Sequence, residues 1–172
     1  MTISNLEVPY FIFHPFFYEE PSVLLNPALF QEWQNKSLEG YFPYEILYYL
    51  ERDAYRPWTH VQGHVPELLL QWKQLKEICL QYHKNRQSQK AGNLLKQGTA
   101  LFISALFWMN RKPVDFADFD NDLVNLTYKP FNANERLQFI LKYPNLYPAF
   151  IQVGELFLEL EKSFSIMEIK RK

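Results

Sequence analysis

Asn93 to Asn110 reads NLLKQGTALFISALFWMN, and from Thr99 onward it is apolar on nearly every side. A helix without a polar stripe belongs inside a bundle, with other helices around it. Its greasiest run, Ala100–Met109 (ALFISALFWM), is only about half as long as the apolar stretch a bilayer crossing needs, so it predicts a buried helix and no membrane span. Gly98, on the polar side of that run, leaves room for a neighbour to approach closely.

The flanking segments supply the neighbours. Upstream, Leu68, Trp72, Leu75, Cys79 and Tyr82 recur at spacings of 4, 3, 4 and 3, one apolar stripe on a helix starting near Pro66. The polar stretch NRQSQKAG at 85–92 then reads as a helix end and turn. Downstream, Arg111–Phe131 predicts a surface-packed connection with a single helical turn. Asn132 and Glu135 have the spacing of a capping box. Leu137, Ile140 and Leu141 form the face of the helix that follows, which ends before Pro144. From Pro148 a last helix carries Phe150, Val153, Phe157, Leu160, Phe164 and Met167 on one face, and Lys170, Arg171 and Lys172 complement its negative pole. Nearer the start, Asn26-Pro27 predicts a capped helix through Leu29, Phe30 and Trp33, stopped by Gly40. Pro43 opens another, with Ile46, Leu47 and Leu50 on one face and Arg56-Pro57 beyond its end. The reading is all-α: a compact bundle of five to seven helices, its three long members antiparallel around Asn93–Asn110.

Residues 1–22 behave differently. Val8–Phe17 (VPYFIFHPFF) crowds aromatics around prolines, which lack an amide donor and restrict the preceding residue. The segment reads as an extended arm laid over a single helical domain at 23–172, burying Phe11, Phe13, Phe16 and Phe17. A short strand at Tyr10–Phe13 finds no strand partner in this reading.

Length and composition agree with one domain: 172 residues, 20.7 kDa, 48% hydrophobic and 17% aromatic. The net charge of −1 removes any polyelectrolyte character, and a lone cysteine, Cys79, excludes an intramolecular disulfide framework. The start lacks a basic region and has Glu7 where a signal peptide would be apolar, so a cytoplasmic location is expected.

No motif calls for a cofactor, and none names catalytic residues. His60, His64 and Glu67 could grip a metal if they shared a helix face, but Gly63 and Pro66 point to a turn there. Asp118, Asp120 and Asp122 open like a calcium loop, yet Leu123 and Lys129 occupy the positions that need glycine and glutamate. Cys79 sits in the apolar stripe and reads as core. Charge is uneven: residues 1–60 carry −5, 61–112 carry +6 and 113–172 carry −2. If Lys84, Arg86, Lys90 and Lys96 converge at the turn near Gly92, they form a phosphate patch for nucleic acid; neutralising the acidic first third is the favoured reading. The leading expectation is a non-enzymatic interaction domain; the alternatives are nucleic-acid binding through the basic turn and an enzyme of unrecognised type, metal-assisted through His60, His64 and Glu67. Phe16, Phe17, Tyr18, Tyr48, Tyr49 and Trp58 would line an aromatic groove for a partner protein or a second copy.

Two segments, HPFFYEE at His14–Glu20 and KPFNANERLQFI at Lys129–Ile140, resemble the YpoC-like family of small bacillar proteins. The resemblance implies a helical fold in a bacterial cytoplasmic setting. It brings no catalytic residue with it.

Overall fold

The computed structural model describes residues 2–34 and 41–171. Six α-helices among them carry the fold: α1 (Pro43–Tyr49), α2 (Val61–Lys84), α3 (Ser88–Met109), α4 (Phe119–Asn125), α5 (Ala133–Lys142) and α6 (Tyr147–Arg171). Two short antiparallel strands, β1 (Ser4–Glu7) and β2 (Ser22–Leu25), pair in register with Ser4 opposite Leu25. The chain is mostly helical, as its periodicity predicts.

α3 is the central helix, and its second half is buried almost without interruption. Trp72 of α2 lies flat against Phe157 of α6, with ring centroids 4.9 Å apart. Gly98 makes this possible, because a Cβ there would stand 2.5 Å from the Trp72 ring. The three long helices are not all antiparallel. Gln62 bonds to Glu168 and His83 packs on Tyr147, so α2 opposes α6. Phe102 meets Phe157, and Met109 shares a hollow with Met167, so α6 runs alongside α3 in the same direction. α5 carries the chain back and makes this parallel pair possible.

Several local expectations change. α2 starts at Val61 and runs straight through Gly63 and Pro66, where a turn is expected. A proline this near a helix start disturbs little, and the chain enters through a 3₁₀ turn at Pro57–Thr59, with the Gly63 amide bonding three residues back to His60. The helix expected from Asn26 is a single 3₁₀ turn, Pro27–Gln31, although Asn26 does cap it by accepting from the Ala28 amide at 3.2 Å. Tertiary partners end it. The Phe30 carbonyl accepts from the Tyr55 amide, and Trp33 is pulled onto α2. Gly40, expected as its stop, lies outside the described residues. At α5 no capping box forms, because Asn132 adopts a left-handed conformation (φ 51°) and its side chain caps nothing.

Residues 2–22 do lie on the helical body, but through a different backbone. The strand is Ser4–Glu7 rather than Tyr10–Phe13, and its partner is β2, the short apolar run SVLL, too brief to show a strand period of its own. Between the strands the chain makes two tight turns, closed by bonds to the Pro9 and His14 carbonyls. Ile12 and Phe17 are buried there, whereas Phe11 and Phe13, expected inside, stay about two-fifths exposed. The Phe11 carbonyl accepts from the Phe116 amide at 2.7 Å, which ties the arm to the segment after α3.

Candidate functional site

The arm and α1 enclose a groove of about 600 Å³. Phe11 from the arm stacks on Tyr49 at 4.8 Å, and Tyr48 meets Trp58 edge-on at 5.2 Å. The Arg56 guanidinium lies over the Tyr48 ring at 4.9 Å, a cation–π contact. Tyr49 is held from behind, its hydroxyl donating to the Val114 carbonyl at 3.0 Å. Glu51, Arg52 and Asp53 complete the rim, with Glu51 in the left-handed region (φ 57°) at the bend after α1.

The six aromatics proposed as one lining thus divide. Tyr48 and Tyr49 line the groove, and Trp58 supports Tyr48 from within the core. Phe17 and Tyr18 are themselves core: Phe17 packs on Tyr41, Phe42 and Phe116, and the Tyr18 hydroxyl donates to the Tyr41 carbonyl. Phe16 lies on another face, under the Lys96 ammonium at 5.7 Å. Phe11, the ring that completes the groove, carried no signal beyond its place in the aromatic run.

The other candidates are placed as follows. His64 and His60 share one side of α2's start, with rings 6.3 Å apart. Each has its own partner: His64 Nε2 meets the Tyr55 hydroxyl at 2.7 Å, and His60 Nδ1 meets Thr59 at 2.8 Å. Glu67 accepts from Trp33 Nε1 at 2.6 Å and stands 3.9 Å from His64 Nδ1, and burial lowers the His64 pKa. No three His, Cys, Asp or Glu side chains among the described residues are grouped to hold a metal. Asp118 precedes α4 and accepts from the Asn121 amide group, while burial and the charges of Asp115 and Asp118 push the Asp122 pKa up. Cys79 is fully buried against the Ala91 carbonyl, and burial pushes its thiol up to about 11, so it is packing. Lys84, Arg86 and Lys90 surround the α2–α3 turn in solvent, with Lys90 near the Tyr82 ring, while Lys96 turns toward the arm.

Sequence reasoning missed Glu45. It is the completely buried carboxyl on α1, and its Oε2 accepts from Trp108 Nε1 (2.8 Å) and the Val114 amide (3.1 Å). Oε1 has no hydrogen-bond partner. Burial pushes the carboxyl up to about 7, against the pull of those two donors and of Glu45's own backbone amide. Glu45, Trp108, Tyr44 and Ser104 border a small cavity of about 60 Å³. Glu45 interrupts no apolar pattern that would flag it, because its neighbours Tyr44 and Ile46 are buried as well.

Comparison with known proteins matches the helical part of the molecule. The model of the family described as YpoC-like protein matches residues 62–172, from the first turn of α2 to the chain's last residue. The protein of Bacillus subtilis (strain 168) described as uncharacterized protein YpoC is 34% identical over 110 residues, which cover 63% of this chain and 66% of that protein. No solved structure matches. Of the two segments that carry the resemblance, Lys129–Ile140 lies inside the matched range and His14–Glu20 outside it. The matched span holds all three long helices and their shared core at Trp72, Gly98 and Phe157, and on that span the chain belongs to the YpoC-like family.

Proposed function

We propose that this protein is a non-enzymatic interaction domain that receives an extended segment of a partner protein in the groove between the arm and α1. The observation that carries this reading is Phe11. It stacks on Tyr49 yet stays 42% exposed, beside Tyr48 and Arg56. Tyrosine, arginine and large aromatics are the side chains that concentrate binding energy at interfaces. The rim pairs two cations, Arg52 and Arg56, with two anions, Glu51 and Asp53, and none forms an ion pair with a described residue. Such a rim suits a peptide that presents an apolar anchor flanked by charges of both signs. No helix among the described residues is long and apolar enough to cross a membrane.

The test compares the wild type with Phe11→Ser and Tyr48→Ala. A partner retained by the wild type, weakened roughly tenfold or more by either substitution, and displaced by a peptide cut from its own sequence supports the reading. Identical capture by wild type and correctly folded variants would sink it. So would light scattering that shows no complex with any purified candidate.

A further inference from the structure

At the far end of the bundle from the α2–α3 turn, α3 and α6 finish side by side. A hollow of about 310 Å³ lies between their ends, with Arg111, Lys170 and Arg171 in its lining. We propose that this hollow binds a phosphorylated small molecule, holding its phosphate groups with these three cations. Arg111 follows α3, the neighbouring pair Lys170 and Arg171 ends α6, and none of the three forms an ion pair with a described residue. No carboxylate is among the described residues of the lining, and Glu168, two positions before Lys170, is engaged by the Gln62 amide group at 3.3 Å.

The wall is built rather than accidental. Asn110 donates to the Tyr128 carbonyl (2.8 Å) and accepts from the Tyr128 amide (2.9 Å), fixing the Thr127–Tyr128 segment against the end of α3. Met109 and Met167 add the apolar part of the lining. Arg111 sits at φ 59° because it closes α3, its amide bonding to the Trp108 carbonyl and the Lys112 amide to the Phe107 carbonyl, as Arg86 (φ 57°) closes α2; the turn aims the chain after α3 across the hollow, and glycine takes this conformation more freely than arginine. Cations at helix C-termini also complement the helix poles, which accounts for their presence but not for a shared hollow lacking counter-charge. The beginning of α2, whose Gln62 lines the same hollow, offsets part of that negative pole with first-turn amides.

The size and charge select the ligand class. The volume falls in the small-molecule range, and forked guanidinium groups match phosphate oxygens. A nucleic-acid strand needs cations along a track, whereas these ring one hollow. Recognition would rest on side chains, in keeping with a sequence that has no glycine-rich phosphate loop.

The probes are inorganic pyrophosphate and ADP, titrated calorimetrically into the full chain at about 50 mM salt, where charge-based binding is strong. The decisive variant is Arg111→Gly, which removes the cation and relieves the backbone, so it should unfold no earlier than the wild type. Expected is binding in the millimolar range or tighter to one or both probes, weakened roughly tenfold by Arg111→Gly and by Lys170→Ala/Arg171→Ala. Lys84→Ala/Arg86→Ala, at the other end of the 24-residue α2 and so about 36 Å away, should leave it unchanged. The proposal is overturned by no binding of either probe at about 5 mM, by equal binding to Arg111→Gly, or by equal loss in the distant double variant. Binding of a single-stranded oligonucleotide where both probes fail would overturn it as well.

Discussion

Glu45 is the residue whose chemistry the surrounding fold alters most. Two donors hold one carboxyl oxygen, nothing holds the other, and the nearby phenols of Tyr18, Tyr44 and Tyr49 offer no positive charge. The folded protein therefore keeps the Glu45 proton up to about pH 7, while the unfolded chain releases it near 4.5. Between those values the native state binds more protons, so stability falls as pH rises from about 4.5 to about 7 and is flat beyond. The loss amounts to about 3 kcal/mol at most, by the usual conversion of a pKa shift. Glu45→Gln lacks this titration, and urea unfolding across pH should show its stability relative to wild type growing over that interval. A constant difference would mean the carboxyl ionises normally. Residues of this kind were illegible in the sequence, since Glu45 lies among Tyr44, Ile46 and Leu47 on a short helix and only the fold closes over it. Gly98 and Cys79 were legible, because each stands at a fixed place in a long apolar pattern that determines what surrounds it.

At the scale of elements, legibility followed length. α3 and α6 were plain because many apolar residues agree on one period, and α2 was plain beyond Pro66. The short pieces depended on partners distant in sequence. β1 and β2 exist only by pairing with each other, and Pro27–Gln31 stops short because Trp33 and Phe30 find partners on other segments. Asn132 shows the same override, its capping pattern defeated by a left-handed backbone. The attachment of α5 to α6 gives a measurable case. Arg136 of α5 bonds to Glu159 (2.8 Å) and Gln152 (2.9 Å) on α6 and to the Phe131 carbonyl, and its side chain is only 17% exposed. Arg136→Ala should cost roughly 1–3 kcal/mol, as expected for losing several charged hydrogen bonds in a half-buried place. Chemical denaturation would read this, and a cost below a few tenths would show the bridge to be solvated and idle.

For the whole molecule, the helical bundle was read correctly because burying long apolar faces leaves few alternatives, whereas the direction of α6 relative to α3 depends on how α4 and α5 spend the intervening chain. The site was less legible. Tyr48 and Tyr49 were named, but the groove takes its shape from Phe11, which reaches it only after the arm has turned back on itself. The arm is joined at both ends: β1 and β2 clasp its base, the Val8 amide bonds to the Pro21 carbonyl, and Phe116 bonds to Phe11 at its tip. A loop stapled in this way cannot fray residue by residue like an ordinary terminus. It should instead open as one cooperative unit, so in native-state hydrogen exchange the amides of Val8 and Phe116 should share a single opening free energy, below that of α3. If Phe116 tracks α3 and Val8 exchanges far sooner, the two are not coupled. With such coupling, whatever occupies the Phe11 groove would slow deuterium uptake at β1 and β2 without touching either strand.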